Sequence, residues 1–148
     1  MKLDAQELPH FIVGACMEVH RHTGRGLDAR IYRECLAVEL RMREIIFQRD
    51  SVLPVFYKGV KVETGVRVDF VIEETTLVSI EAVDTLTPEH KQRMRNELRL
   101  TGREIGLLIN FNVENMRDGI KRIIVSDAPP VLRYREEKAI PAIGAARE

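Results

Sequence analysis

Tryptophan is absent from the chain, and only five phenylalanines and three tyrosines are spread over its 148 residues. Its core must therefore be mainly aliphatic. Cysteine is limited to Cys16 and Cys35, each set among apolar residues in a predicted helix. Both are expected to be buried thiols acting as small hydrophobes. There is no Cys-X-X-Cys, no phosphate loop and no Ser-His-Asp arrangement. No stretch approaches the roughly 18 apolar residues of a membrane span, so no membrane partner is expected. The first seven residues lack the apolar segment of a secretory leader, which points to a cytoplasmic protein. Charge of one sign is not in excess either, with 23 basic and 23 acidic residues. A neutral total sets up no global field for a polyanion, so a nucleic-acid site would need a local patch.

What is present fits one domain with a sizeable core, at 45% hydrophobic and 31% charged residues. Phe11, Ile12, Ala15, Cys16 and Val19 recur at helical spacing from Leu8 to His20. Gly24 and Gly26 then favour a turn. A second helix is predicted from Leu27 to Met42, with Leu27, Ile31, Cys35, Val38 and Met42 on one side. Short strands are expected at 45–49 and 53–57, with Lys58-Gly59 turning the chain into 60–63. The β-branched run Val66 to Ile72 is the clearest strand, and Thr76 to Val83 completes a hairpin after a polar turn. Thr87, Pro88 and Glu89 are a cap, a first-turn proline and a first-turn acid, predicting a helix from Pro88 to Thr101 that ends at Gly102. Ile105 to Phe111 reads as a buried central strand, and Ile120 to Val125 as a strand or a helix. From Asp127 the composition changes, and residues 127–148 are expected to form an extended or disordered tail, with contact to a neighbouring subunit as the sharper alternative.

Several stretches carry a family resemblance. They include Ile12-Val13-Gly14-Ala15, Gly24-Arg25-Gly26-Leu27 running to Tyr32, Val55 to Val60, and Arg67-Val68-Asp69. Others are Ala82 to Pro88, Leu98 to Gly102, Gly106 to Phe111, and Asp118 to Ile123. Together they resemble the GxxExxY family, a branch of the PD-(D/E)xK nuclease superfamily, over residues 8–125. The resemblance implies an α/β fold, a mixed sheet of about four or five strands flanked by helices, within a domain spanning 1–126.

It also implies a site. In the superfamily two carboxylates on adjacent strands hold Mg²⁺, which prefers oxygen ligands. A neighbouring lysine orients the attacking water while the metal stabilises charge on the phosphate. Asp69 matches the first carboxylate. Ser79 stands at the second, Glu81 at the lysine, and Ala29 at the glutamate that names the family. Arg93 and Glu97 replace the usual Gln and Tyr on the following helix. Side chains alternate along a strand, so Ser79 and Glu81 share a face. Glu81 is expected to pair with Arg93 or a neighbouring arginine.

The expected function is therefore a catalytically degenerate nuclease-like domain without a cofactor, acting through self-association as a homo-oligomer or through protein binding. One alternative is an active Mg²⁺-dependent DNA or RNA nuclease using Asp69 and Glu81. Another is binding of nucleic acid without cleavage through Arg93, Arg95, Arg99 and Arg103. Against that basic face stands a solvated helix whose charges pair at i,i+4, as Glu89–Arg93 and Arg93–Glu97 would. The balanced total charge favours the solvated helix.

Overall fold

Apolar side chains on two faces of each inner strand demand cover on both sides, and the architecture supplies it. The computed structural model describes residues 6–126. The expected boundary at 126 and the tail after it lie outside those residues. Helices α1 (Leu8–Thr23) and α2 (Ala29–Met42) lead into strands β1 (Phe47–Tyr57), β2 (Val60–Ile72) and β3 (Thr76–Glu81). Helix α3 (Pro88–Thr101) crosses over to β4 (Ile105–Asn110), and a short 3-10 turn precedes β5 (Ile120–Ile124). The sheet order is β1-β2-β3-β4-β5. Only the β3–β4 pair joined by α3 is parallel. The other neighbours are antiparallel.

One face of the sheet presents Phe70, Ile72, Val78, Ile80, Leu107 and Ile109 to α1 and α2. The other presents Val71 and Leu77 to Met94 and Leu98 of α3. Gly106 lets α3 come this close, since a Cβ there would lie 2.5 Å from the Met94 sulfur. The α3 boundaries match the expectation from its cap signals. Thr87 accepts from the His90 N–H, and Gly102 closes the helix in the left-handed conformation.

Several elements depart from the sequence reading. The two strands expected over 45–57 are one strand, because the pairing with β2 keeps one register through Arg49–Phe70 and Ser51–Val68 on either side of Asp50, despite its φ of 51°. Likewise 60–63 and 66–72 form one strand. The third strand ends at Glu81 rather than Val83. There the Asn110 side chain takes over the backbone partners, accepting the Val83 N–H and donating to the Val83 carbonyl.

The largest departure is in α2. Its buried residues are Tyr32, Leu36, Ala37 and Leu40. The stripe singled out from spacing faces outward, with Ile31 45%, Val38 46% and Met42 74% exposed. Helix α2 carries two apolar faces, and periodicity alone does not say which one meets the sheet. Cys35 lies on the outer stripe and is half-buried, unlike Cys16, which has no exposure. Burial pushes the Cys16 thiol far above the ordinary range and keeps it protonated.

Tyr32 explains its own place in the motif. Its ring stacks on Phe111 at 4.6 Å, and its hydroxyl donates to the Gly24 carbonyl at 2.6 Å. The same oxygen accepts the Leu27 N–H at 3.1 Å, which latches the glycine loop to α2.

Candidate functional site

The sheet opens beside Asp69. Strands β2 and β3 pair from Ile72–Thr76 to Phe70–Val78 and then stop. In place of the next ladder bond, the Asp69 carboxylate accepts the Ile80 N–H at 2.7 Å. Strand β3 stays paired to β4 through Glu81–Asn110. The divergence leaves a cleft of about 290 Å³, covered by α3. Arg67, Asp69, Ser79 and Glu81 line it from the strands, Arg93, Met94 and Glu97 from α3, and Arg33 from α2.

Within the cleft Glu81 is held from several sides. Ser79 Oγ donates to its Oε2 at 3.2 Å, and the Arg93 guanidinium donates to the same atom at 3.2 Å. His90 contributes less directly. Its Nδ1 accepts the Thr87 N–H at 2.9 Å, which leaves the ring proton on Nε2, 4.0 Å from Glu81 Oε1. That separation is electrostatic contact rather than a hydrogen bond. Glu81 is 19% exposed and Arg93 60%, so this ion pair lies at the cleft mouth.

Glu97 is the residue that the sequence reading underrated. It is half-buried, and burial is the main force lifting its carboxyl above the usual range. Arg93 opposes that rise, while the charges of Asp69 and Glu81 add to it. Three carboxylates thus share one electrostatic environment, with one each from β2, β3 and α3. The signal for Glu97 lay in its spacing four residues after Arg93, which puts both on one flank of α3. Arg67 was also legible, two residues before Asp69 and so on the same strand face. Arg33 gave no such signal, because its position depends on how α2 packs against β3.

The arginines of the alternative basic face point in different directions. Arg93 turns into the cleft toward Glu81 rather than to Glu89. Arg95 follows it by two residues, about 200° of helical turn, and donates to Gln92. Arg99 is one turn further along the Arg95 flank. Arg103 lies beyond the helix and donates to the Glu74 and Thr101 carbonyls. Arg93 thus faces the cleft, while Arg95 and Arg103 donate to groups outside it. Near the end of α1, His20 meets the Val113 carbonyl and His22 meets Glu18.

A model of the PD-(D/E)XK nuclease superfamily matches residues 6–123, most of the chain. The chain belongs to this superfamily. Among solved structures it is similar to an alkaline exonuclease from Laribacter hongkongensis, at 17% identity and a TM-score of 0.47. That similarity covers 94% of this chain and 79% of the exonuclease. A comparison with curated proteins finds no match.

Superfamily membership raises the question of a divalent metal, and the donor set does not fit one. One Asp69 oxygen already accepts a backbone N–H, and one Glu81 oxygen receives both Ser79 and Arg93. The guanidinium brings a positive charge to the carboxylate that a cation would need. Among the described residues, no three His, Cys, Asp or Glu side chains converge to hold a metal ion. A Mg²⁺ ion asks for near-octahedral oxygen ligation, and these contacts do not offer it.

Proposed function

We propose that this chain is a catalytically degenerate member of the superfamily, of the GxxExxY branch, that acts through self-association or binding of another protein. The observation that carries the reading is the Arg93–Glu81 pair at 3.2 Å. An acid stands where the resemblance calls for lysine, and an arginine from α3 neutralises it. The position of the water-orienting cation has become the acidic half of an ion pair. Asp69, the surviving carboxylate, is engaged in ending the β2–β3 ladder. No metal cofactor is required in this reading, and the protein is expected in the cytoplasm.

A nuclease assay with Mg²⁺ or Mn²⁺ tests the proposal on linear, nicked and single-stranded DNA and on RNA. No cutting by the wild type is expected. Cutting that disappears in Asp69→Ala would overturn the reading in favour of a metal nuclease using Asp69 and Glu81. Binding measured across a salt series separates the remaining alternative. Phosphate contacts through Arg93, Arg95, Arg99 and Arg103 would make affinity fall steeply with salt, whereas little binding at any salt is expected.

A further inference from the structure

Helix α2 has a second apolar face that the described residues leave largely uncovered. Ile31, Cys35, Val38 and Met42 follow one another at steps of four, three and four residues, the alternation of a coiled-coil seam. Ile31, Val38 and Met42 are 45%, 46% and 74% exposed. Cys35 is half-buried between them, packed against the edge of the core. The seam runs about 17 Å along the helix, enough for four packing layers. Meanwhile the opposite face, from Tyr32 to Leu40, is fully committed to the core. Scattered apolar residues on a surface need no explanation, but a regular stripe marks an interaction site.

We infer that this stripe is the contact with a second copy of the chain, packed antiparallel across a twofold axis between Cys35 and Val38. The choice of occupant and direction rests on charge. In the antiparallel arrangement Ile31 faces the partner's Met42, and Cys35 faces the partner's Val38. The residues flanking the seam are then Glu34 and the partner's Arg41, opposite charges that meet twice by symmetry. A parallel arrangement instead sets Glu34 beside the partner's Glu39, like charges repeated twice. The stripe is thus complementary to itself in one orientation only.

Both flanking groups are available. Glu34 is exposed and meets Arg49 of its own chain, and a carboxylate has about four acceptor sites, so a second guanidinium can join it. Arg41 is exposed, and its guanidinium lies over the Phe47 ring at 5.5 Å from the centroid. The inference deepens the association reading above and rests on it. Whether the cleft cuts nucleic acid does not enter.

The experiment is the mass of the full chain in solution, by light scattering and sedimentation, for the wild type and four variants. The wild type is expected to be a dimer. Val38→Glu with Met42→Glu puts charge into the seam and should raise the dimer dissociation constant about a hundredfold or more. These residues are exposed, so the melting profile of the variant's monomer reports that it still folds. Glu34→Arg should weaken the dimer, Arg41→Glu should weaken it too, and the two together should restore it. A wild type that is monomeric at every concentration overturns the inference. A dimer indifferent to Val38→Glu with Met42→Glu also overturns it, yet leaves self-association standing through another surface. A dimer strengthened by Glu34→Arg alone overturns the antiparallel arrangement, because that result belongs to the Glu34–Glu39 parallel register.

Discussion

The Asp69 carboxylate and the Ile80 N–H meet at 2.7 Å, at the place where β2 and β3 cease to pair. The Asp69 side chain thereby supplies a hydrogen bond that the sheet itself lacks. Asp69→Ala should cost about 2 kcal/mol, because it removes a charged acceptor and strands a partly buried N–H. Asp69→Asn keeps an acceptor and should cost under about 1 kcal/mol. Urea denaturation with an unchanged m-value checks both. Equal losses in the two variants would mean that the charge, rather than the hydrogen bond, matters.

The Arg93–Glu81 pair should contribute little to stability despite its place in the cleft. With Arg93 60% exposed, the coupling expected from a double-mutant cycle is about 0.5 kcal/mol, decreasing with salt. A coupling several times larger would show that the cleft excludes more water than its open mouth indicates.

Glu97 should make the protein less stable as pH rises. Its carboxyl is raised in the folded state, chiefly by burial, so the folded chain holds that proton more firmly than the unfolded chain. Stability from this group is complete below the ordinary carboxylate value of 4.5 and is lost as pH climbs through the raised value. Glu97→Gln should raise the melting temperature at neutral pH and flatten the slope in that window. Melting curves collected from acid to neutral pH test it, and an unchanged slope in the variant would refute it.

Mg²⁺ and Mn²⁺ at millimolar concentration should leave the melting temperature of the wild type unchanged, since a bound ligand would raise it by mass action. The double variant Ser79→Glu with Glu81→Lys restores the acid and the base that the superfamily pattern calls for. A metal-dependent rise is expected there, which would trace the loss to those positions. A rise already present in the wild type would sink the degenerate-site reading.

Tyr32→Phe keeps the stack on Phe111 but removes the hydroxyl that bridges Gly24 and Leu27. Its expected cost is about 1–2 kcal/mol, with faster hydrogen exchange confined to the glycine loop. Exchange unchanged at the Leu27 amide would show that the loop does not depend on the latch.

Much of the fold was legible without coordinates because its signals are local. The Thr87–Pro88 start and Gly102 end of α3 need only neighbouring residues. The same is true of the Lys58-Gly59 turn, where both residues take positive φ in a two-residue hairpin connection. The apolar run of β4 from Ile105 to Ile109 likewise declares itself as a strand buried on both faces. By contrast, the bridging of 49–51 into a continuous strand came from pairing with β2. The ending of β3 depended on Asn110, 27 residues away.

By itself, the sequence determined that serine and glutamate occupy positions 79 and 81 on one face of β3 and that an aspartate stands at position 69 on β2. Residue identity and strand alternation suffice for that. Only the tertiary structure decided what these groups do, with Asp69 ending a ladder, Glu81 meeting Arg93, and Glu97 joining them in a cleft. It also decided which apolar stripe of α2 is left outside. Helical period says that residues share a face, but which face is buried depends on the sheet it meets.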